Sequence, residues 1–143
     1  MYLLDTCVLS ELVKTAPEST VLAWIAERKE HELYVSAMTI AELHRGIAKL
    51  PASRRKNELS VWLQQLEAGF DERVMPFTRE TAHIWAQMCA DAEAVGKSMA
   101  ALDSIIAATA VEHAFCLITR NVRDFSAAPV ELLNPWPDSD SKV

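Results

Sequence analysis

Asp5, Glu42, Asp103 and Asp124 each stand at the edge of a segment that otherwise reads as buried core. Asp5 closes the apolar run Met1-Tyr2-Leu3-Leu4, and Glu42 lies in Met38-Thr39-Ile40-Ala41-Glu42-Leu43. Asp103 sits in Ala100-Ala101-Leu102-Asp103-Ser104-Ile105-Ile106-Ala107-Ala108, and Asp124 follows Phe115-Cys116-Leu117-Ile118-Thr119 by one short turn. A carboxylate beside buried apolar surface is costly unless charge or donors compensate it. No basic residue accompanies the acids inside those segments, so the four imply a shared cation. Oxygen-only ligands select Mg²⁺, with Mn²⁺ as the alternative, over zinc. Clustered without a cation the acids would repel, and some would stay protonated near neutral pH. With one, they leave coordination sites for water and a phosphate oxygen, the arrangement for in-line attack on phosphorus by a metal-activated water.

Such chemistry needs the four acids on one edge of the fold, and the pattern of elements provides one. Met1–Leu4 reads as a strand, with a short helix over Cys7–Val13. Pro17–Arg28 reads as a helix with Pro near its start. Glu32–Ser36 is a second strand. Thr39 with Glu42 three residues on has the pattern of a capping box, opening a helix to about Leu50. Pro51-Ala52-Ser53 begins the next helix, with Leu59, Trp62, Leu63 and Leu66 at helical spacing and Gly69 as its end. Arg73–Phe77 is a short strand and Thr78 caps a helix running to Gly96. Ala101–His113 is apolar nearly all round, which predicts the most buried helix. Phe115–Thr119 and Val130–Leu133 complete the strands. Strands alternating with helices predict a mostly parallel sheet of about five strands with helices on both faces. Ligands in such sheets sit beyond the carboxyl ends of the strands, where Asp5 and Asp124 fall by sequence order.

The chain is 143 residues long, enough for one domain that buries about two-thirds of its unfolded surface. We expect that domain over residues 1–136, with a polar, frayed tail over 137–143. Half the residues are hydrophobic and only three are Gly, so the chain is no fibrous or disordered protein. The net charge of −6 argues against strong non-specific binding to nucleic acid, so any grip on it must come from local basic residues. Cys7, Cys89 and Cys116 lack CxxC spacing and read as small, reduced side chains suited to the cytosol. The segment Met1–Val13 lacks a basic leader and is broken by Asp5 and Glu11, so it does not read as a signal peptide. No apolar run reaches the roughly 18 residues needed to span a membrane.

The motifs together resemble the PIN-domain ribonucleases. Leu4-Asp5-Thr6-Cys7-Val8-Leu9-Ser10-Glu11 is similar to the opening motif of that family, and Ser36–Leu43 to the second, whose acid is Glu42. Asp103–Ala110 resembles the third and Thr119-Arg120-Asn121-Val122-Arg123-Asp124-Phe125 the fourth. Asn134-Pro135-Trp136 is similar to the FitB-like subgroup of VapC toxins. The resemblance implies a three-layer α/β fold and a Mg²⁺-dependent endoribonuclease, the toxin of a type II toxin–antitoxin pair. It also implies a homodimer silenced by a cognate antitoxin, with promoter DNA bound only through the antitoxin. Asp5, Glu42 and Asp103 match the first three acids. For the fourth, some relatives carry an acid where this chain has Asn121, and others where it has Asp124. We take Asp124 as the catalytic and metal-binding residue, with Thr6, Thr119 and Asn121 as accessory groups. Cys7 occupies a position that is commonly Asn.

Structural roles compete at each position. Asp5 could cap the following helix, Glu42 could serve only its capping box, and Asp103 could be a helix N-terminal charge. Asp124 could pair with Arg120 or Arg123. Glu11 reads as a solvated helix face, with lining of the cleft as its alternative, and Trp62, Leu66 and Trp85 read as core or dimer contacts. The histidines His31, His44, His83 and His113 lack metal-ligand spacing. The run Arg54-Arg55-Lys56 reads as a solvated helix face and alternatively as a source of phosphate contacts, and with Arg45 and Arg120 these are the candidate basic residues near the cleft. The helices carrying Ala48, Leu59, Trp62 and Leu63 offer apolar surface for a symmetric dimer. A receiver domain would need adjacent acids after the first strand, and a haloacid-dehalogenase-type phosphatase an Asp-x-Asp, whereas this chain has Asp5-Thr6-Cys7. A PIN-like nuclease with another role or a DNA substrate, and a non-catalytic RNA- or protein-binding scaffold, are the alternative functions.

Overall fold

Tyr2-Leu3-Leu4 forms the central strand, β1, because its side chains are apolar on both faces, as a strand covered by helices on each side requires. The computed structural model describes residues 1–137. Four further strands flank β1: β2 (Leu33–Ser36), β3 (Val74–Met75), β4 (Cys116–Ile118) and β5 (Leu132–Leu133). All pair in parallel in the order β3-β2-β1-β4-β5. The chain order reverses between β1 and β4, and a doubly wound sheet opens its ligand crevice at that reversal. The register aligns Leu3 with Leu117 and Leu4 with Ile118. Asp5 extends it by one bond, its amide donating to the Ile118 carbonyl at 3.0 Å.

Among the described residues six α-helices pack on the sheet: α1 (Thr6–Leu12), α2 (Ser19–Ala26), α3 (Ala37–Ala48), α4 (Arg54–Phe70), α5 (Arg79–Ala94) and α6 (Ala101–His113). One core joins Leu4, Ile118 and Val35 of the sheet to Val8, Leu9, Val21, Leu43 and Leu63. The other joins Leu3 and Leu117 to Met88, Ile106, Ala107, Ala110 and Phe125. Strand side chains alternate between the two, which is how three layers follow from three-residue strands. Each buried Leu, Ile or Val contributes about 1.5–3 kcal/mol through removal from water. Trp62 and Leu66 pack against the first core and Trp85 against the second, as expected of core residues.

Local boundaries differ from the sequence reading by one to three residues at several elements, α2 among them, which spans Ser19–Ala26 and leaves Pro17 outside. The cap of α3 is Ser36, whose side chain accepts from the Met38 amide at 3.0 Å, and not Thr39. Ser36 ends β2 with extended backbone, the geometry a cap needs, whereas Thr39 already lies inside the helix and is fully buried. Gly69 does not end α4, which continues to Phe70 and is terminated by Asp71 at φ 47°. Thr78 caps α5 as expected, and α6 spans the predicted residues with six of them buried. Beyond Pro137 the polar tail lies outside the described residues. Among the described residues no helix is long and apolar enough to cross a membrane.

Candidate active site

Asp5 sits where β1 turns into α1, directly beside the end of β4. It caps α1, its Oδ1 accepting from the Thr6 amide at 2.8 Å. Its Oδ2 accepts from the Thr119 hydroxyl at 2.8 Å, a buried bond between residues 114 apart in sequence. The Cys7 thiol donates to the same oxygen at 3.5 Å. The capping role and a bond to the fourth motif therefore coexist in one side chain. Burial pushes the Asp5 carboxyl above its ordinary pKa, opposed by these donors and reinforced by the charge of Asp124. The Cys7 thiol is pushed up to about 11, first by burial and then by Asp5, so it is a neutral donor at physiological pH.

Glu42 projects from the second turn of α3. Instead of reaching back to its own helix start, it accepts the Thr6 hydroxyl proton at 2.6 Å. Thr6 thus links the first two acids, giving its amide to Asp5 and its hydroxyl to Glu42.

Asp103 lies in the first turn of α6. Its pKa is raised to about 6 by partial burial and then by the charges of Asp5, Asp124 and Glu42, in that order. Asp103 therefore lies within electrostatic reach of the other three acids. Asp124 lies in a 3₁₀ turn over Val122–Phe125 that follows β4, and its side chain is exposed.

A cleft of about 380 Å³ is lined by Asp5, Thr6, Glu42, Asp103, Arg120 and Asn121, together with Glu11, Lys14 and Trp136. Asp124 opens onto an adjoining cleft of about 510 Å³, with Lys97 and Arg123, and Asp103 borders both. Of the accessory groups, Thr119 also accepts from the Asn121 amide at 3.0 Å, tying the fourth motif to Asp5.

The donor set suits a hard divalent cation: carboxylates and hydroxyls, with like charge that already forces Asp103 towards its protonated form. Among the described residues no three His, Cys, Asp or Glu side chains stand together as a ready-made cage.

Two expectations need correction. Glu11 is not a solvated helix residue but is 4% exposed. Its carboxylate accepts from Lys14 Nζ at 2.9 Å, the Glu18 amide at 2.9 Å and the Trp136 indole at 3.3 Å. The Lys14 bond, then the Glu18 amide, hold it below the usual carboxylate range. The acid in the helix directly after Asp5 was the available signal, and its interaction with a Trp 125 residues away was not. Among the basic residues expected at the cleft, only Arg120 lines it. Arg55 instead donates to the Val13 carbonyl, and Lys56 to the carbonyls of Ala48 and Leu50 at the end of α3. Lys14, Lys97 and Arg123 are the cations that sequence reading missed.

Comparison with known proteins agrees with this geometry. Residues 2–131 match the PIN domain. The chain is 40% identical over 140 residues to the VapC ribonuclease Y4jK of Sinorhizobium fredii, covering 95% of this chain and 98% of that protein. It is 41% identical over 139 residues to the toxin FitB of Neisseria gonorrhoeae, covering 96% and 100%. The crystal structure of FitAcB from N. gonorrhoeae contains a chain that superposes with a TM-score of 0.91 at 40% identity, over 96% of this chain and 99% of that one. VapBC2 from Rickettsia felis, solved with a promoter DNA fragment, shares the fold at 22% identity with a TM-score of 0.76. With the PIN domain matched over nearly its whole length, the chain belongs to the PIN-domain family.

Proposed function

We propose that this protein is a divalent-cation-dependent endoribonuclease and the toxin of a type II toxin–antitoxin pair. The observation that carries the reading is the cleft shared by Asp5, Glu42 and Asp103, with Asp103 also bordering the cleft of Asp124, in a chain about 40% identical to a VapC ribonuclease and to FitB. Asp5, Glu42, Asp103 and Asp124 would hold Mg²⁺ or Mn²⁺. The bound cation supplies the positive charge that activates water and offsets charge on the phosphodiester.

The chain's own residues prepare that site. Thr119 and the Thr6 amide fix both oxygens of Asp5, so its carboxylate presents one orientation. The Thr6 hydroxyl does the same for one oxygen of Glu42. Burial and then the neighbouring acids raise the Asp103 pKa to about 6, so a nearby positive charge would favour its ionised form. Arg120 and Lys14 line the cleft and can meet the substrate's phosphates.

Partners follow from the same reading. The solved structures similar to this chain include FitAB bound to a DNA fragment and FitAcB from N. gonorrhoeae. We infer a cognate antitoxin for this chain that lays an apolar segment on the toxin and pushes a basic side chain towards the acidic cluster. Promoter DNA would be met only through that antitoxin, in the cytoplasm. We also infer a homodimer. Leu63 is in the core and is not available for it, but Val61 is 53% exposed on α4 beside half-buried Leu59 and Trp62.

The test is incubation of the isolated chain with RNA in Mg²⁺, Mn²⁺ or EDTA, with mapping of the cleaved ends. Cleavage that requires the cation supports the reading. RNA left intact in both metals, or cutting of DNA in preference to RNA, overturns it.

A further inference from the structure

Glu11 is a buried carboxylate that borders the acidic cleft yet plays no part in the mechanism above. It is 4% exposed and shares the cleft with Trp136 and Arg120. One of its oxygens accepts the indole N–H of Trp136 at 3.3 Å in a fully buried contact. The same oxygen accepts from Lys14, and the other accepts from the Glu18 amide, so the carboxylate is held from three sides. Trp136 is itself 6% exposed, and its backbone amide donates to Asn134 Oδ1 at 2.9 Å. The Arg120 guanidinium lies over the Trp136 ring, 5.5 Å from its centroid.

That placement bears on what Arg120 can do. An arginine held over an aromatic ring by a cation–π contact keeps N–H groups available to other acceptors. Those donors match the oxygens of a phosphodiester, and a pre-positioned guanidinium loses little conformational freedom when it grips one. Arg120 is exposed, and among the described residues it forms no ion pair with the acids whose cleft it shares. Nothing else in the cleft offers the same combination, since Lys14 is already engaged by Glu11.

We propose that Arg120 is the residue that grips a backbone phosphate of single-stranded RNA at this cleft, and that Glu11 and Trp136 are positioning residues that hold its guanidinium there. The proposal rests on the ribonuclease reading for its substrate. It assigns Glu11 to substrate placement and not to the cation. The relay runs from α1 through the segment after β5 to the loop after β4, so three distant parts of the chain set the position of one cation.

The experiment measures binding of a 5′-fluorescein single-stranded RNA by anisotropy, with Ca²⁺ in place of Mg²⁺ so that the acids are screened while cleavage is slow. Affinity is followed from about 50 to about 200 mM KCl, where each phosphate contact to a single strand contributes a slope of about 0.7 in log K against log[salt]. Arg120→Gln should reduce the slope by about 0.7. In cleavage assays it should raise KM with little change in kcat. Glu11→Gln and Trp136→Leu should raise KM in the same way, and neither should add to the effect of Arg120→Gln in double variants. Trp136→Phe, which keeps a ring face, should recover part of the loss. Should Trp136→Leu fail to fold, Arg120→Gln and Trp136→Phe still decide the matter. A salt slope unchanged in Arg120→Gln, or additive losses in the double variants, overturns the proposal. Wild-type protein that binds the RNA without cutting it in Mg²⁺ or Mn²⁺ would instead overturn the ribonuclease reading and leave the phosphate grip standing.

Discussion

Thr119 donates its hydroxyl proton to Asp5 Oδ2 at 2.8 Å, joining the end of β4 to the end of β1 at the point where the sheet's winding reverses. The same hydroxyl accepts from the Asn121 amide, so one side chain ties the first and fourth acidic motifs together. Thr119→Val keeps the shape and removes both bonds. It should cost roughly 1–3 kcal/mol of stability in urea melts, the scale of leaving buried polar groups unpaired. Because this donor lowers the Asp5 pKa against the effect of burial, its loss should also move the acidic limb of the cleavage profile to higher pH. An unchanged profile would show that Thr119 does not tune Asp5.

Asp103 makes the metal-free protein sensitive to pH in a definite direction. Its folded pKa of about 6 lies above the ordinary 3.8, so the folded state binds more protons across that window. Its contribution to stability is present below about pH 3.8 and is lost as pH rises through about 6. In EDTA, Asp103→Asn should therefore melt at higher temperature than wild type at pH 7, with the difference shrinking towards pH 4. A difference that stays constant across melts in this range would contradict the coupling among the four acids.

Divalent cations should stabilise the fold by relieving the same repulsion. Binding to the folded state alone adds about 2.7 kcal/mol at a hundredfold excess over Kd. Thermal melts in millimolar Mg²⁺, Mn²⁺ and EDTA should separate, with the metal samples higher. A melting temperature indifferent to all three would remove the case for a shared cation site.

The acids should be indispensable to cleavage. Asp5→Asn and Asp103→Asn should each reduce the cleavage rate by about a hundredfold or more, the scale of losing one preorganised electrostatic contact in a transition state. Circular dichroism should show the fold intact. Asp124→Asn should be comparably severe and Asn121→Ala mild. The reverse pattern would give the fourth position to Asn121, which lines the same cleft as Asp5, Glu42 and Asp103. Growth arrest on expression should follow the same ranking.

Oligomeric state is open to a direct measurement. Light scattering coupled to size exclusion should return about twice the 15.9 kDa chain mass. Val61→Glu on the exposed face of α4 should shift the species towards monomer, and a wild-type monomer at micromolar concentration would exclude the dimer.

Several features were legible in the residues alone. Periodicity placed all six helices and all five strands, because apolar spacing reports which face of an element is covered. Asp5, Glu42, Asp103 and Asp124 stood out because a carboxylate among apolar neighbours is costly, and that cost is written locally. Boundaries were less legible. Ser36 and Thr39 are both good cap residues, and only the end of the β2 hydrogen-bonded pairing decides which one has extended backbone.

The tertiary structure decided everything that depends on distant residues meeting. Arg55 and Lys56 look like a nucleic-acid patch in sequence, yet the packing of α4 against the ends of α1 and α3 spends them on main-chain carbonyls. Glu11 looks solvated, and the return of the chain after β5 buries it under Trp136. The coupling of Asp103 to the other three acids follows from the strand order β3-β2-β1-β4-β5, which no local window contains. Local sequence sets which groups are costly to bury, whereas the sheet's winding sets which of them share the cost.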